Sequence, residues 1–328
     1  MTKIIGFFDN GIGFRGTTRA IIDYSKACFD LNNNIKIKFF FIERLAQNNH
    51  SIALEMLRYG IEIEPIKCRD DLKSQKLDFL YHVSSSYGNK NEWLKELPYP
   101  TFLHQVGYNP PDVNTSTYFA YTSYWQSCFL SGGNSDVLPY IINAKTHCFT
   151  CSQPQARQYF SLPNDAIVLG RHGGLDTWNL PFVCNSVRDT VITNPNIIFL
   201  FLNTPKFISH PRVIFIDGSS DNKLVSMYLA ACDAMIHARW EGETFGLACA
   251  EFLIRKKPII TWAESRERNH ILLSDKSCIF FNTEADCTLI LSSLTRDYLN
   301  YKSSLIPVDY LSSTYSPKVV GQKLLSFL

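Results

Sequence analysis

Residues Met235–Thr261 read MIHARWEGETFGLACAEFLIRKKPIIT. The short apolar run DAMIH (Asp233–His237) predicts a buried strand, and the apolar run from Leu247 predicts a helix. Pro258 must end that helix, because proline lacks the N–H and clashes with the preceding turn. KPIIT (Lys257–Thr261) predicts the next strand. Gly242 and Gly246 bracket Glu243, Thr244 and Phe245 in the loop between strand and helix. Glu243 thus belongs to the loop, and Glu251 lies one to two turns into the helix. Pairing of Glu251 with Arg255 at i+4 on a solvated face would contribute only a few tenths of a kcal/mol. Leu247, Ala248, Phe252, Leu253 and Ile254 surround Glu251, however, and an unpaired buried charge costs several kcal/mol. A partner for this carboxylate is therefore expected.

The same alternation extends in both directions. Upstream, AIVLG (Ala166–Gly170), NIIFLFL (Asn196–Leu202) and RVIFI (Arg212–Ile216) read as strands separated by helix-length segments, as does SCIFF (Ser277–Phe281) downstream. KIIGFF (Lys3–Phe8) opens an earlier series, followed by a helix with Ala20, Ile21, Tyr24, Ala27, Cys28 and Leu31 on one face behind Thr17 or Thr18. IKIKFFFIE (Ile35–Glu43), IEIEPI (Ile61–Ile66), LDFLYHV (Leu77–Val83), TFLHQV (Thr101–Val106) and VLPYII (Val137–Ile142) continue it. With 328 residues, the reading is α/β with two Rossmann-like, doubly wound domains, split near Pro163. The expected limits are 1–162, 163–310 and a C-terminal segment 311–328, whose helix starts at Ser316 and Pro317 and packs back toward the first domain. Two such domains are expected to face a cleft at the carboxyl ends of their strands, where open α/β sheets bind ligands.

The loop N–H groups and the helix start make a site for a polar or anionic ligand. A carboxylate can accept both hydroxyls of a cis diol, so Glu243 and Glu251 suit a ribose or a hexose.

EGETFGLACAEFLIRKKPIIT resembles the Glu-x7-Glu signature of the large family-four type of retaining glycosyltransferases with the GT-B fold, commonly E-G-F-G-x-x-x-x-E-A-x-x-x-x-x-P. Glu243, Phe245, Gly246, Glu251 and Pro258 fall in register. AIVLGRHGG is similar to that family's first strand of the second domain, which ends in Gly-Arg, and the likeness covers about Ala166–Thr295. It implies a metal-independent, retaining transfer from a UDP- or GDP-linked sugar to a glycan or other hydroxyl acceptor. It further implies that Glu251 binds the ribose hydroxyls, that Glu243 faces the donor sugar with the Thr244–Gly246 backbone, and that Arg171 contacts the diphosphate. Fixed cations and N–H donors would then carry the leaving-group charge. The family's lysine beyond the arginine is missing, and His172, Gly173 and Gly174 stand there instead. The glycines would let backbone N–H groups approach phosphate oxygens. Arg239 and Lys206, each beside a predicted strand end, are candidates for the missing charge, and equally for ordinary surface cations.

Gly11, Gly13 and Gly16 in GIGFRG spell the dinucleotide fingerprint after a strand, which opens the alternative of an NAD-dependent oxidoreductase, with Glu43 as the ribose acid. Asp9 and Asn10 lengthen that loop, and Glu43 lies 27 residues past Gly16, beyond the usual spacing of about 20. Resemblance to the GT-B enzymes gives Gly13, Arg15 and Gly16 a role over the donor phosphates or the acceptor. A catalytically silent GT-B binding domain is the remaining alternative. Family members carry a histidine near the position of His104 that touches the donor sugar, so His104 is the candidate here, with a core histidine as the other reading. His237 and His270 lie near the donor loop and receive no role of their own. YNPPDVNTSTYF (Tyr108–Phe119) is read as a loop shaping the acceptor side.

Composition narrows the partners. Basic and acidic side chains number 32 and 30, a formal charge of +2 that gives no footprint for nucleic acid. The longest strongly apolar runs, such as Ile197–Leu202, are far shorter than the ~20 residues that span a bilayer, so a cytoplasmic protein is expected, with peripheral membrane contact left open. The 10 cysteines lack the spacing of a disulfide scaffold, and Cys148 and Cys151 form a C-x-x-C without the second pair that zinc needs. No Asp-x-Asp occurs, against a metal-dependent GT-A enzyme, and no metal or other cofactor is expected beyond the donor substrate.

Overall fold

The computed structural model describes residues 2–13, 16–45, 50–86, 88–142, 151–219 and 221–328. The chain divides into two compact units, Met1–Ile141 with Thr314–Leu328, and Ile142–Ser313.

Among the described residues the first unit carries strands β1 (Lys3–Phe8), β2 (Ile35–Ile42), β3 (Glu62–Ile66), β4 (Phe79–Ser84), β5 (Thr101–Gln105), β6 (Tyr118–Tyr121) and β7 (Asp136–Val137). All pair in parallel in the order β3-β2-β1-β4-β5-β6-β7. Parallel strands buried on both faces read as continuous apolar runs, as in FFFI of β2 and FLYHVS of β4. β6 begins at the end of the stretch Tyr108–Phe119 that the sequence reads as a loop. The Thr117 hydroxyl accepts from the Thr101 N–H (3.1 Å), seating the start of β6 beside β5. β7 stops before Pro139, which has no N–H for a ladder; the extended chain beyond it is buried, and Tyr24 donates to the Pro139 carbonyl (3.0 Å). Helix Pro317–Leu325 packs on helix Gly16–Leu31, where Gly321 lies against Ala27 and Leu31.

The second unit contains β8 (Ile167–Arg171), β9 (Ile197–Leu202), β10 (Val213–Ile216), β11 (Ala234–His237), β12 (Gly242–Glu243), β13 (Ile259–Trp262), β14 (Glu267–Arg268) and β15 (Ile279–Phe281). Its main sheet runs β10-β9-β8-β11-β13-β15, all parallel, while β12 and β14 form a separate two-stranded ribbon. Counted from its own first strand, the main sheet repeats the 3-2-1-4-5-6 order of a dinucleotide-type fold, and its order reverses between β8 and β11.

The units separate at Ile141/Ile142 rather than at Leu162/Pro163. Arg157, on helix Gln153–Tyr159, is 1% exposed and pairs with Asp233 (2.6 Å), while also donating to the carbonyls of Ala231 and Asn164. Asp233 in turn accepts from the Val168 N–H (2.7 Å), Gln153 (3.0 Å) and Arg296 (3.2 Å). One half-buried carboxylate therefore fixes the starts of β8 and β11 and ties that helix to the second unit.

Candidate functional site

The chain leaving β11 is bound to its surroundings at every turn. Asn179 donates from its backbone to the Ala238 carbonyl (3.0 Å) and from its amide to Glu241 (3.1 Å), and its side-chain oxygen accepts from the Trp240 N–H (2.7 Å). Gly242 sits at φ +80°, and a Cβ there would collide with the Glu267 carbonyl, so glycine is required where β12 meets β14. Gly246, at φ +88°, caps helix Leu247–Leu253; a Cβ there would meet those of His270 at 3.1 Å and Glu243 at 3.2 Å. The Phe245 ring is buried, and its carbonyl accepts from Asn269 (2.7 Å). Thr244 is half-buried. The glycines and Phe245 thus act as the frame that presents Glu243.

Glu243 is gripped from two sides. Arg239 donates to one oxygen at 3.0 Å and His237 Nε2 stands 3.4 Å from the other. Burial would raise the carboxyl's pKa, but the Arg239 charge and then the contact with His237 outweigh it and hold it down at about 2. Arg239 is pushed the other way: burial lowers it, but Glu243 and Glu267 together leave it raised. The result is a fixed carboxylate beside a fixed guanidinium.

Glu251 does not face bulk water. Its side chain is 13% exposed, and one oxygen lies 2.9 Å from His172 Nε2, at the carboxyl end of β8. The His172 ring is set by Tyr228, edge-on at 5.8 Å between centroids, and by Phe252 at 5.8 Å. Arg255 donates to Ser226 (2.8 Å). An imidazole on the adjoining strand end thus stands within ion-pair distance of the carboxylate that the apolar helix carries.

Other candidates are placed differently from the expectation. Arg171 is 2% exposed; one guanidinium nitrogen donates to Asn203 O (2.7 Å) and Thr204 Oγ1 (2.8 Å), the other to Gly174 O (2.6 Å) and Thr177 Oγ1 (2.7 Å). Burial lowers its pKa to about 10. Its donors turn inward as a staple between two loops rather than outward to a diphosphate. Gly173, at φ +151°, and Gly174 are held in that staple, and the Gly173 carbonyl accepts from Asn203 (2.7 Å). Lys206 is exposed beside a 600 Å³ cavity near the ends of β9 and β10.

His104 is 0% exposed in the first unit, hydrogen-bonded to Tyr81 through Nδ1 and packed among the rings of Tyr24, Phe102 and Tyr140. Desolvation depresses it to about 3, so it is a neutral core histidine with no surface for a sugar. In the glycine-rich stretch, Gly13 is buried and Gly16 is the exposed first residue of its helix, while Arg15 lies outside the described residues, as does Cys148 of the C-x-x-C. Asp9 accepts from the Thr17 hydroxyl (3.0 Å), putting a carboxylate at the helix start where a dinucleotide would need donors for its pyrophosphate. That placement disfavours the oxidoreductase reading.

Asn179, Thr177, Asn203 and Thr261 were not singled out by sequence. Only Thr261 carried a signal, as the end of the strand following the helix of Glu251.

No protein-family model matches the sequence, and no curated protein does. Solved structures do match. Alr3699/HepE of Anabaena, in complex with UDP and glucose, superposes with a TM-score of 0.73 at 12% identity over 99% of both chains. A glycosyltransferase from Rickettsia africae ESF-5 gives 0.72 at 12% identity over 99% of this chain and 97% of that one. The UDP-GlcNAc 2-epimerase of Neisseria meningitidis bound to UDP-GlcNAc gives 0.67 at 11%, over 99% of each. The fold is therefore GT-B: two Rossmann-like units, each with a parallel sheet. Among the described residues, no helix is long and apolar enough to cross a membrane.

Proposed function

We propose that the protein is a retaining, metal-independent glycosyltransferase that moves a sugar from a nucleoside-diphosphate donor to a hydroxyl acceptor. The observation that carries this reading is Glu251 set against His172 at the point where the strand order reverses, with Glu243 held ionised on the neighbouring strand's loop. Glu251 is given the ribose diol, since one carboxylate can accept from two neighbouring hydroxyls. Glu243, with the Thr244–Gly246 backbone, faces the hydroxyls of the donor sugar. Arg239 and the backbone of Gly173 and Gly174 stabilise the leaving diphosphate.

The bond from the anomeric carbon to the diphosphate oxygen breaks, and the acceptor oxygen attacks the same face. The departing diphosphate oxygen takes the acceptor's proton. The protein's contribution is orientation and charge stabilisation, which needs no separate general base. HepE, solved with UDP-glucose, supports UDP as the nucleotide. The epimerase shows that this fold also hosts chemistry without an acceptor.

The test is an assay of UDP release from UDP-sugars with a panel of hydroxyl acceptors, in the presence of EDTA, with the product anomer read by NMR. Acceptor-dependent release, unaffected by EDTA and with the donor's anomeric configuration kept, is expected. Inverted product, loss of activity with EDTA, or epimerised UDP-sugar without release would contradict the reading.

A further inference from the structure

Behind Glu243 lies a closed set of polar side chains. His237 Nδ1 is 2.9 Å from Thr261 Oγ1, and the same hydroxyl is 3.1 Å from His270 Nε2. The two rings are 4.5 Å apart at their centroids. His237 and Thr261 are register partners on β11 and β13, so their side chains leave the same face of the sheet. Thr261 and His270 are 0% exposed and His237 is 5% exposed. His270 Nδ1 has no hydrogen-bond partner among the described residues.

These contacts determine where the protons go. A threonine hydroxyl has one proton and two lone pairs; accepting from both imidazoles would leave its own buried proton without an acceptor among the described residues, so it donates to one ring and accepts from the other. If it donated to His270, that ring would carry its proton on Nδ1, leaving a buried N–H with no acceptor, which native interiors avoid more strictly than an unused acceptor. It therefore donates to His237 Nδ1 and accepts from His270 Nε2–H. His237, an acceptor at Nδ1, then carries its proton on Nε2, facing the Glu243 carboxylate at 3.4 Å.

We propose that His270, Thr261 and His237 form a one-directional hydrogen-bond chain that fixes the orientation of Glu243, with both histidines neutral and protonated on Nε2. They are positioning residues: Thr261 sets the tautomer of His237, and His270 sets the direction of the threonine hydroxyl. The part of this that concerns turnover rests on the role given to Glu243 above; the tautomers do not.

The experiment is nitrogen-15 NMR of the histidine rings in the full chain without substrate, with His237 and His270 assigned by single His→Gln variants. Wild type is expected to show Nε2–H on both rings. Thr261→Val keeps the shape but removes the hydroxyl, and should lose the fixed Nε2–H pattern at His237, while Thr261→Ser should retain it. In turnover, Thr261→Val is expected to lower kcat about 10- to 100-fold, the scale of a misplaced reacting group, with donor affinity little changed and Thr261→Ser restoring the rate. Nδ1–H on His237 in wild type, or a Thr261→Val variant with unaltered tautomers, overturns the proposal, while altered tautomers with unaltered kcat overturn its part in turnover. Since the spectrum needs no substrate, it judges the chain even if no sugar transfer is found.

Discussion

Arg171 shows how a residue type can be legible while its task is not. The resemblance of its Gly-Arg position to the GT-B enzymes implied a diphosphate contact, whereas its side chain makes four internal hydrogen bonds that staple two loops. Removing it strands several buried acceptors, so Arg171→Ala should cost on the order of 3 kcal/mol. Arg171→Lys should not rescue, since an ammonium lacks the planar fork that spans both loops. Urea unfolding of the variants checks this; stability equal to wild type with weakened UDP affinity would restore the diphosphate role. At Glu243 the sign of the charge effect is testable. Its folded pKa is depressed, so its contribution is present above the ordinary value of 4.5 and lost as pH falls toward about 2. Glu243→Gln should remove more stability at pH 7 than at pH 3, where part of the contribution is already lost. A stability difference from wild type that is the same at both pH values would contradict this.

At the level of elements, most strands could be read because parallel strands buried on both faces are written as unbroken apolar runs. β6 was not legible, because four residues, Tyr118–Tyr121, give too short a run and its seating depends on a distant threonine. Pro163 interrupts the local pattern, whereas the contact that ties helix Gln153–Tyr159 to the second unit is Arg157 with Asp233, far apart in sequence and so not visible locally. In the site, the carboxylates and glycines were visible as a motif, whereas His172 as the partner of Glu251 required the β8–β11 pairing. Packing of the C-terminal helix sets two effects against each other at Gly321. Alanine would gain about 1 kcal/mol of helix propensity. Its Cβ, however, would lie 2.9 Å from that of Ala27, and overpacking costs about 1–3 kcal/mol. Steric cost should win, so Gly321→Ala should lower the thermal midpoint; a raised midpoint would show that the two helices separate at no cost.

Over the whole molecule, buried neutral histidines tie stability to pH. Desolvation pushes His82 and His104 down to about 3, and His270 well below its ordinary value of 6.5. Unfolded, each takes up a proton below pH 6.5; folded, it does not, so stability is full above 6.5 and falls as pH drops. The loss is about 1.4 kcal/mol per pH unit for each such group. Urea midpoints should therefore decline from pH 7 to pH 5, above the range in which Glu243 titrates, and a flat profile there would contradict this placement of the rings. The proposed function depends on the carboxylate of Glu251 receiving the diol of a nucleotide. Calorimetric titration of UDP into wild type and Glu251→Ala tests it most directly. Loss of a charged acceptor for two hydroxyls is worth about 1.5–3 kcal/mol, so the variant should bind UDP about 10- to 100-fold more weakly, with the fold intact. Equal affinity in the two proteins, or no UDP binding by wild type, would contradict the account.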